Sequence, residues 1–156
     1  MAVSPRICTQ IQVMFFDTDC GGVVSNIAYL RFIEIARTLL AEELGLALTK
    51  MAENQRYPVV VRTEIDYRRP AKLGDQLVIE GQLDKVERVR FWCGFQITRP
   101  KDNTLIAQCR QKLALIEMPE GKLLRLPEHW EEYRSDDSTE SQRHSQAPIS
   151  GKKSIQ

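Results

Sequence analysis

The hydrophobic and polar positions of this chain change period twice. Residues 7–16 alternate, with Ile7, Ile11, Val13 and Phe15 on one face, which predicts a strand. Over residues 27–44 the spacing becomes helical. Arg31, Glu34, Thr38 and Glu42 form one polar stripe, while Ile27, Leu30, Phe32, Ile33, Ile35, Ala36, Leu39, Leu40 and Leu44 fill most of the remaining circumference. A helix apolar around so much of its surface is expected to be buried. Ser25 or Asn26 suits the cap at its start, and Gly45 follows its end. A short helix is expected around Leu48 to Asn54.

From Val59 onward the period returns to two. Four runs follow: Val59 to Tyr67, Gln76 to Val86, Val89 to Thr98 and Thr104 to Met118. Turn chemistry separates them at Pro70 to Asp75 and Pro100 to Asn103, and Pro119-Glu120-Gly121 closes the last. Such short connections imply antiparallel pairing. The order β-α-β-β-β-β is not the alternation of a doubly wound sheet. It predicts an α+β fold in which one long antiparallel sheet wraps around one central helix. From Ser135 the chain is too polar to offset the entropy of ordering it, so one domain over residues 1–134 and a flexible tail over 135–156 are expected.

Composition narrows the function classes. A chain of 156 residues is sized for one domain, and 22 basic against 21 acidic residues create no field suited to nucleic acid or a membrane surface. No run approaches a membrane span, and Met1 to Arg6 lacks an apolar signal core, so a cytoplasmic location is expected. Cys8, Cys20, Cys93 and Cys109 are scattered, with neither disulfide nor zinc spacing, and no metal is expected. His129 and His144 lie late in the chain, so a His-based triad would have to draw on its polar end.

The chemistry concentrates between Val13 and Tyr29. An apolar run delivers Asp17 and Asp19, then Gly21-Gly22, then the start of the long helix. Carboxylates are costly to bring near a core unless something holds or uses them. A helix start offers free N–H donors and a positive dipole end. A purely structural turn remains open here. A calcium loop fails, because Ala28 stands where the closing bidentate Glu is needed. Phosphoryl transfer on an Asp-x-Asp strand end belongs to doubly wound sheets, which the element order argues against. Acyl transfer fits: Asp19 would attack a carbonyl or deprotonate water while helix N–H groups polarise the carbonyl oxygen. A thioester suits a site without a well-placed His, because thiolate leaves without a strong general acid.

The run Asp17-Thr18-Asp19-Cys20-Gly21-Gly22-Val23-Val24, with Asn26, Tyr29 and Glu34-Ile35-Ala36-Arg37, resembles the signature of the 4-hydroxybenzoyl-CoA thioesterase family. It is most similar to the acyl-CoA thioesterases associated with the Tol–Pal system. Tyr67 to Asp75 resembles the family's segment after the second strand, and the likeness spans about residues 7–130. It implies a hotdog fold and an acyl-CoA or aryl-CoA substrate without a separate cofactor. It also implies a homodimer or homotetramer with active sites at subunit interfaces. It makes Asp19 the catalytic carboxylate and the backbone N–H at Asn26 the carbonyl binder. Gly22, Val23, Arg88 and Arg90 become candidate substrate and CoA contacts. Relatives often carry Tyr where this chain has Ser25, and the Tol–Pal-associated type carries His where it has Asn26. A backbone role survives both changes.

Other residues read more simply. Arg68, Arg69 and Lys72 cluster at a turn and also suit phosphate contacts. Glu34 and Arg37 are spaced for an ion pair. Cys20 has no visible base and reads as a small buried residue. Trp130 and Tyr133 are expected to dock the end of the domain. An acyl-CoA hydratase or dehydratase would need a His/Asp pair, which the strand–helix region lacks, and a non-catalytic acyl-CoA-binding module is the other alternative.

Overall fold

A computed structural model describes residues 3–134, so the tail expected over 135–156 lies outside the described residues. Strand β1 (Arg6–Gln12) leads through a single 3-10 turn (Phe15–Asp17) to helix α1 (Asn26–Glu43) and the short helix α2 (Leu48–Asn54). Strands β2 (Arg56–Tyr67), β3 (Gln76–Val86), β4 (Arg90–Arg99) and β5 (Thr104–Glu117) follow, then the two-residue β6 (Lys122–Leu123) and a last 3-10 turn (Glu128–Tyr133). The strands pair antiparallel in the order β1-β3-β4-β5-β2, with β6 added beside β5. This is the hotdog arrangement: one curled sheet with α1 on its inner face.

Alternation explains that inner face. Leu77, Ile79 and Leu83 of β3, and Phe91, Cys93, Phe95 and Ile97 of β4, are buried against Tyr29, Phe32, Ile33, Ala36 and Leu40 of α1. Cross-strand partners share a face, so Leu83 meets Cys93 and Phe95 meets Cys109 in register. Trp130 closes one end of the core, its ring edge-on to Phe91 at 5.0 Å, and Tyr133 packs beside it, as the sequence suggested. A cleft of about 670 Å³ opens on the sheet away from the helix, lined by charged residues such as Glu64, Asp84 and Arg110 together with Ile7 and Phe95.

Two expectations need correction. Strand β1 stops at Gln12, and Phe15 and Phe16 are 80% and 70% exposed in the 3-10 turn rather than continuing the buried face. The strand cannot continue because Val13 is taken by the turn after β2, donating to Asp75 O and accepting from Gly74 N. Helix α1 is also not buried all round. Ile27, Leu30, Ile35 and Leu39 are exposed, because a single sheet covers only one face of a helix.

Candidate functional site

The Asp17–Asn26 segment folds as a tight hairpin that delivers the chain into α1. Ser25 N–H donates to Asp17 O, Thr18 bridges Val24, and Asp19 N–H donates to Val23 O at 2.9 Å. Gly22 N–H closes the tip on Asp19 O at 3.0 Å. The tip requires its glycines. Gly22 has φ +74°, and a Cβ on Gly21 would stand 3.1 Å from Asp19 Oδ1.

The hairpin is pinned from below by the 70–75 loop. Val24 N–H donates to Ala71 O, and Val23 bridges Lys72. The buried Tyr29 hydroxyl accepts from Ala71 N–H at 3.3 Å, and burial raises the Tyr29 phenol above its ordinary range. Arg99 clamps the same loop, donating to Asp75 Oδ2 at 2.9 Å and to Pro70 O, while its Nε and Nη2 engage Asp102. The Arg99 hydrogen bond pushes the Asp102 carboxyl down to about 2.

The two carboxylates of the motif have opposite environments. Asp17 is 2% exposed; its Oδ2 accepts from Met14 N–H at 2.8 Å and its Oδ1 is paired with Arg31. Burial of a carboxylate is costly, and these two partners offset that cost. Asp19 is exposed at the hairpin tip. Its Oδ1 accepts from Gly21 N–H at 2.8 Å, and among the described residues nothing donates to Oδ2. That oxygen is available to a substrate or a water.

Helix α1 begins at Asn26, and its cap is Ser25, whose Oγ accepts from Ala28 N–H at 3.3 Å. Ser25 O takes the Tyr29 N–H. The Asn26 and Ile27 N–H groups meet no acceptor among the described residues. They are the free donors that a helix start leaves, at the positive end of an 18-residue helix.

Not every candidate converges here. Gly22 and Val23 belong to the hairpin. Arg88 and Arg90 do not: they flank the turn between β3 and β4, whereas the hairpin packs on the loop that precedes β3. The eleven residues of β3 separate the two ends by about 33 Å. Arg88 instead lines a cleft of about 490 Å³ with Arg125, Leu126, Trp130 and Arg134. Arg68, Arg69 and Lys72, all exposed, lie at the hairpin's own end, beside Arg99 and Arg31 already described. Arg37 lies 3.6 Å from Glu34 but donates mainly to Gln111 at 2.8 Å, which in turn donates to Thr63.

Sequence reasoning missed Arg31. It stood in the polar stripe of the helix with no visible partner, yet it pairs with Asp17 and lies over the Phe16 ring at 4.9 Å. The expectation that Cys20 is buried also fails, since the hairpin tip projects and exposes it. Burial pushes the Cys93 thiol up to about 12 and the Cys109 thiol up to about 11. An aromatic disulfide reagent at pH 8 should therefore titrate two thiols in the native protein, Cys8 and Cys20, and all four after denaturation. Rapid reaction of a third native thiol would contradict this packing.

Comparison with known proteins follows the same outline. The profile of the thioesterase-like superfamily matches residues 13–133. An acyl-CoA thioesterase of Haemophilus influenzae is 30% identical over 118 residues, covering 75% of this chain and 85% of its own. The long-chain acyl-CoA thioesterase of Escherichia coli K12 is 32% identical over 118 residues, covering 76% and 89%. Among solved structures, a probable thioesterase from Bartonella henselae superposes with a TM-score of 0.72 at 29% identity, covering 78% of this chain and 99% of its own.

Proposed function

The chain belongs to the thioesterase-like superfamily, and from that premise we propose that it hydrolyses acyl-CoA thioesters at Asp19. The observation that supports the reading is a hairpin whose tip exposes the Asp19 carboxylate and whose end opens α1 with two N–H groups that meet no acceptor among the described residues. In this mechanism the thioester oxygen lies against the Asn26 and Ile27 N–H groups. Asp19 Oδ2 attacks the carbonyl carbon or removes a proton from the attacking water. Negative charge gathers on the oxygen in the tetrahedral state, where fixed donors act without reorganisation. Collapse expels the CoA thiolate; if Asp19 attacked, water then cleaves the mixed anhydride and restores the carboxylate. The chain's own groups supply every step, so no metal or cofactor is invoked.

Within the superfamily, the motif favours the 4-hydroxybenzoyl-CoA type and its Tol–Pal-associated members. An oligomer is part of the proposal. Strand β2 is twelve residues long and ends the sheet order, and an open edge of that length invites pairing with another copy. The apolar face of α1 left exposed at Ile27, Leu30, Ile35 and Leu39 argues the same way. Arg88 and Arg90 enter the proposal as CoA contacts only if a second copy contributes them, given their distance from Asp19.

Release of free thiol from acyl-CoAs of graded chain length and from aryl-CoAs tests this reading. Turnover of at least one class is expected, with one carboxylic acid formed per thiol. Binding without thiol release would identify a carrier module instead, and hydration of an enoyl-CoA with the thioester intact would identify a hydratase.

A further inference from the structure

The hairpin that carries Asp19 meets helix α1 through an ion pair whose carboxylate, Asp17, is buried and whose guanidinium, Arg31, is half exposed, and nothing in the proposed chemistry uses it. Asp17 sits two residues before Asp19 and opposite Ser25, the helix cap. Its oxygens face groups of this one small region, and Oδ1, which accepts no hydrogen bond among the described residues, has the Arg31 guanidinium as its charge partner. Its backbone O takes the Ser25 N–H at 2.9 Å, Oδ2 takes the Met14 N–H at 2.8 Å, and Oδ1 faces Arg31. Arg31 lies five residues into α1, and its guanidinium also covers the Phe16 ring. A planar guanidinium can hold a carboxylate and an aromatic face at once, which an ammonium cannot do equally well. Arg31 is thus tied to both sides of the 3-10 turn that launches the hairpin.

We propose that Arg31 is a positioning residue. Through Asp17 it fixes the hairpin on α1, and so sets the Asp19 carboxylate relative to the Asn26 and Ile27 N–H groups. The inference rests on the proposed thioesterase reading for its kinetic consequence, but not for its structural one. Reacting groups must be held near attack distance, and a displacement of about 1 Å costs on the order of 10²-fold in rate. Charge compensation alone is the competing role. A buried carboxylate that loses its partner is strongly destabilising, whatever it does for geometry.

A set of variants separates the two roles: Arg31→Met, Asp17→Asn, the double Asp17→Asn/Arg31→Met, and Arg31→Lys. Thermal midpoint, kcat and KM on a turned-over acyl-CoA, and amide hydrogen exchange at Asp19 and Ser25 are measured for each. Arg31→Met should lower kcat by about 10²-fold with KM within about twofold, lower the midpoint by on the order of 10 °C, and speed exchange at both amides. The double variant should recover the midpoint, because no unpaired buried charge remains, but not kcat or the exchange protection. Arg31→Lys should recover part of kcat. Full recovery of kcat and protection in the double variant would overturn the inference and leave charge compensation as the role of Arg31. Parent-like kcat and exchange in Arg31→Met would overturn it as well. If the parent protein releases no thiol from any substrate, the thioesterase reading fails, and unchanged exchange in Arg31→Met would still sink the positioning role separately.

Discussion

Asp19→Asn should lower kcat for thioester hydrolysis by on the order of 10³-fold or more, with the fold and oligomeric state unchanged. The substitution is nearly isosteric. Its amide oxygen can still accept from Gly21 N–H, so the hairpin tip keeps its closing bond. What is lost is charge: a carboxamide neither attacks a carbonyl readily nor accepts a proton from water near neutral pH. Because Asp19 is exposed and lies outside the core cluster, stability should move by less than about 0.5 kcal/mol. Substrate binding should persist, since the side chain keeps its size and shape. Steady-state thiol release, circular dichroism and sedimentation on the same preparation check the three parts together. Retained turnover would remove Asp19 from the mechanism.

The second large effect concerns a backbone atom. Asn26 is the first residue of α1, the position at which proline is best tolerated in a helix. The preceding Ser25 has φ −71° and ψ 154°, the extended conformation that a following proline demands. Asn26→Pro therefore deletes one candidate carbonyl-binding N–H while disturbing little else. A loss of about 10²-fold to 10³-fold in kcat is expected, as for removal of one oxyanion donor. Asn26→Ala keeps the N–H and should stay within about threefold of the parent. The contrast separates backbone from side chain, which matters because the Tol–Pal-associated type carries His at this position. Equal losses in both variants would assign the role to the Asn26 side chain; no loss in either would move the carbonyl oxygen away from the helix start.

The parts of this fold that period alone could reveal were legible. Strands β3 and β4 alternate, because their inner faces pack on one helix, and a period of two places Leu77, Phe91, Phe95 and Ile97 on the inner face where they are found; β5 buries Ile106-Ala107 and Leu113-Ala114-Leu115 as runs, so period alone does not give its inner face. The Asp17–Asn26 hairpin was legible through its glycines and carboxylates, and the family resemblance separated the acids, of which Asp17 is buried and Asp19 exposed. Phe15, Ile27 and Leu30 are apolar, so the pattern placed them inside, yet apolar residues also occupy protein surfaces and period alone does not tell the two apart. Arg31 was invisible as a partner of Asp17 because the pair crosses fourteen residues and a hairpin, with no repeat to mark it. The separation of Arg88 and Arg90 from Asp19 could have been read. Strand β3 starts at the turn beside the hairpin and runs unbroken to Val86, so whatever follows it must lie at the far end.

The central claim is that Asp19 and the start of α1 act on one thioester carbonyl. Amide chemical shifts in the Asp19→Asn variant, titrated with an acyl-CoA that the parent hydrolyses, test it most directly because the substrate stays intact while bound. The Asn26 and Ile27 amide resonances are predicted to move downfield together on saturation, with Gly21 and Gly22 moving alongside. Saturable binding that leaves Asn26 and Ile27 unmoved, with the perturbation confined to other parts of the sheet, would contradict the account.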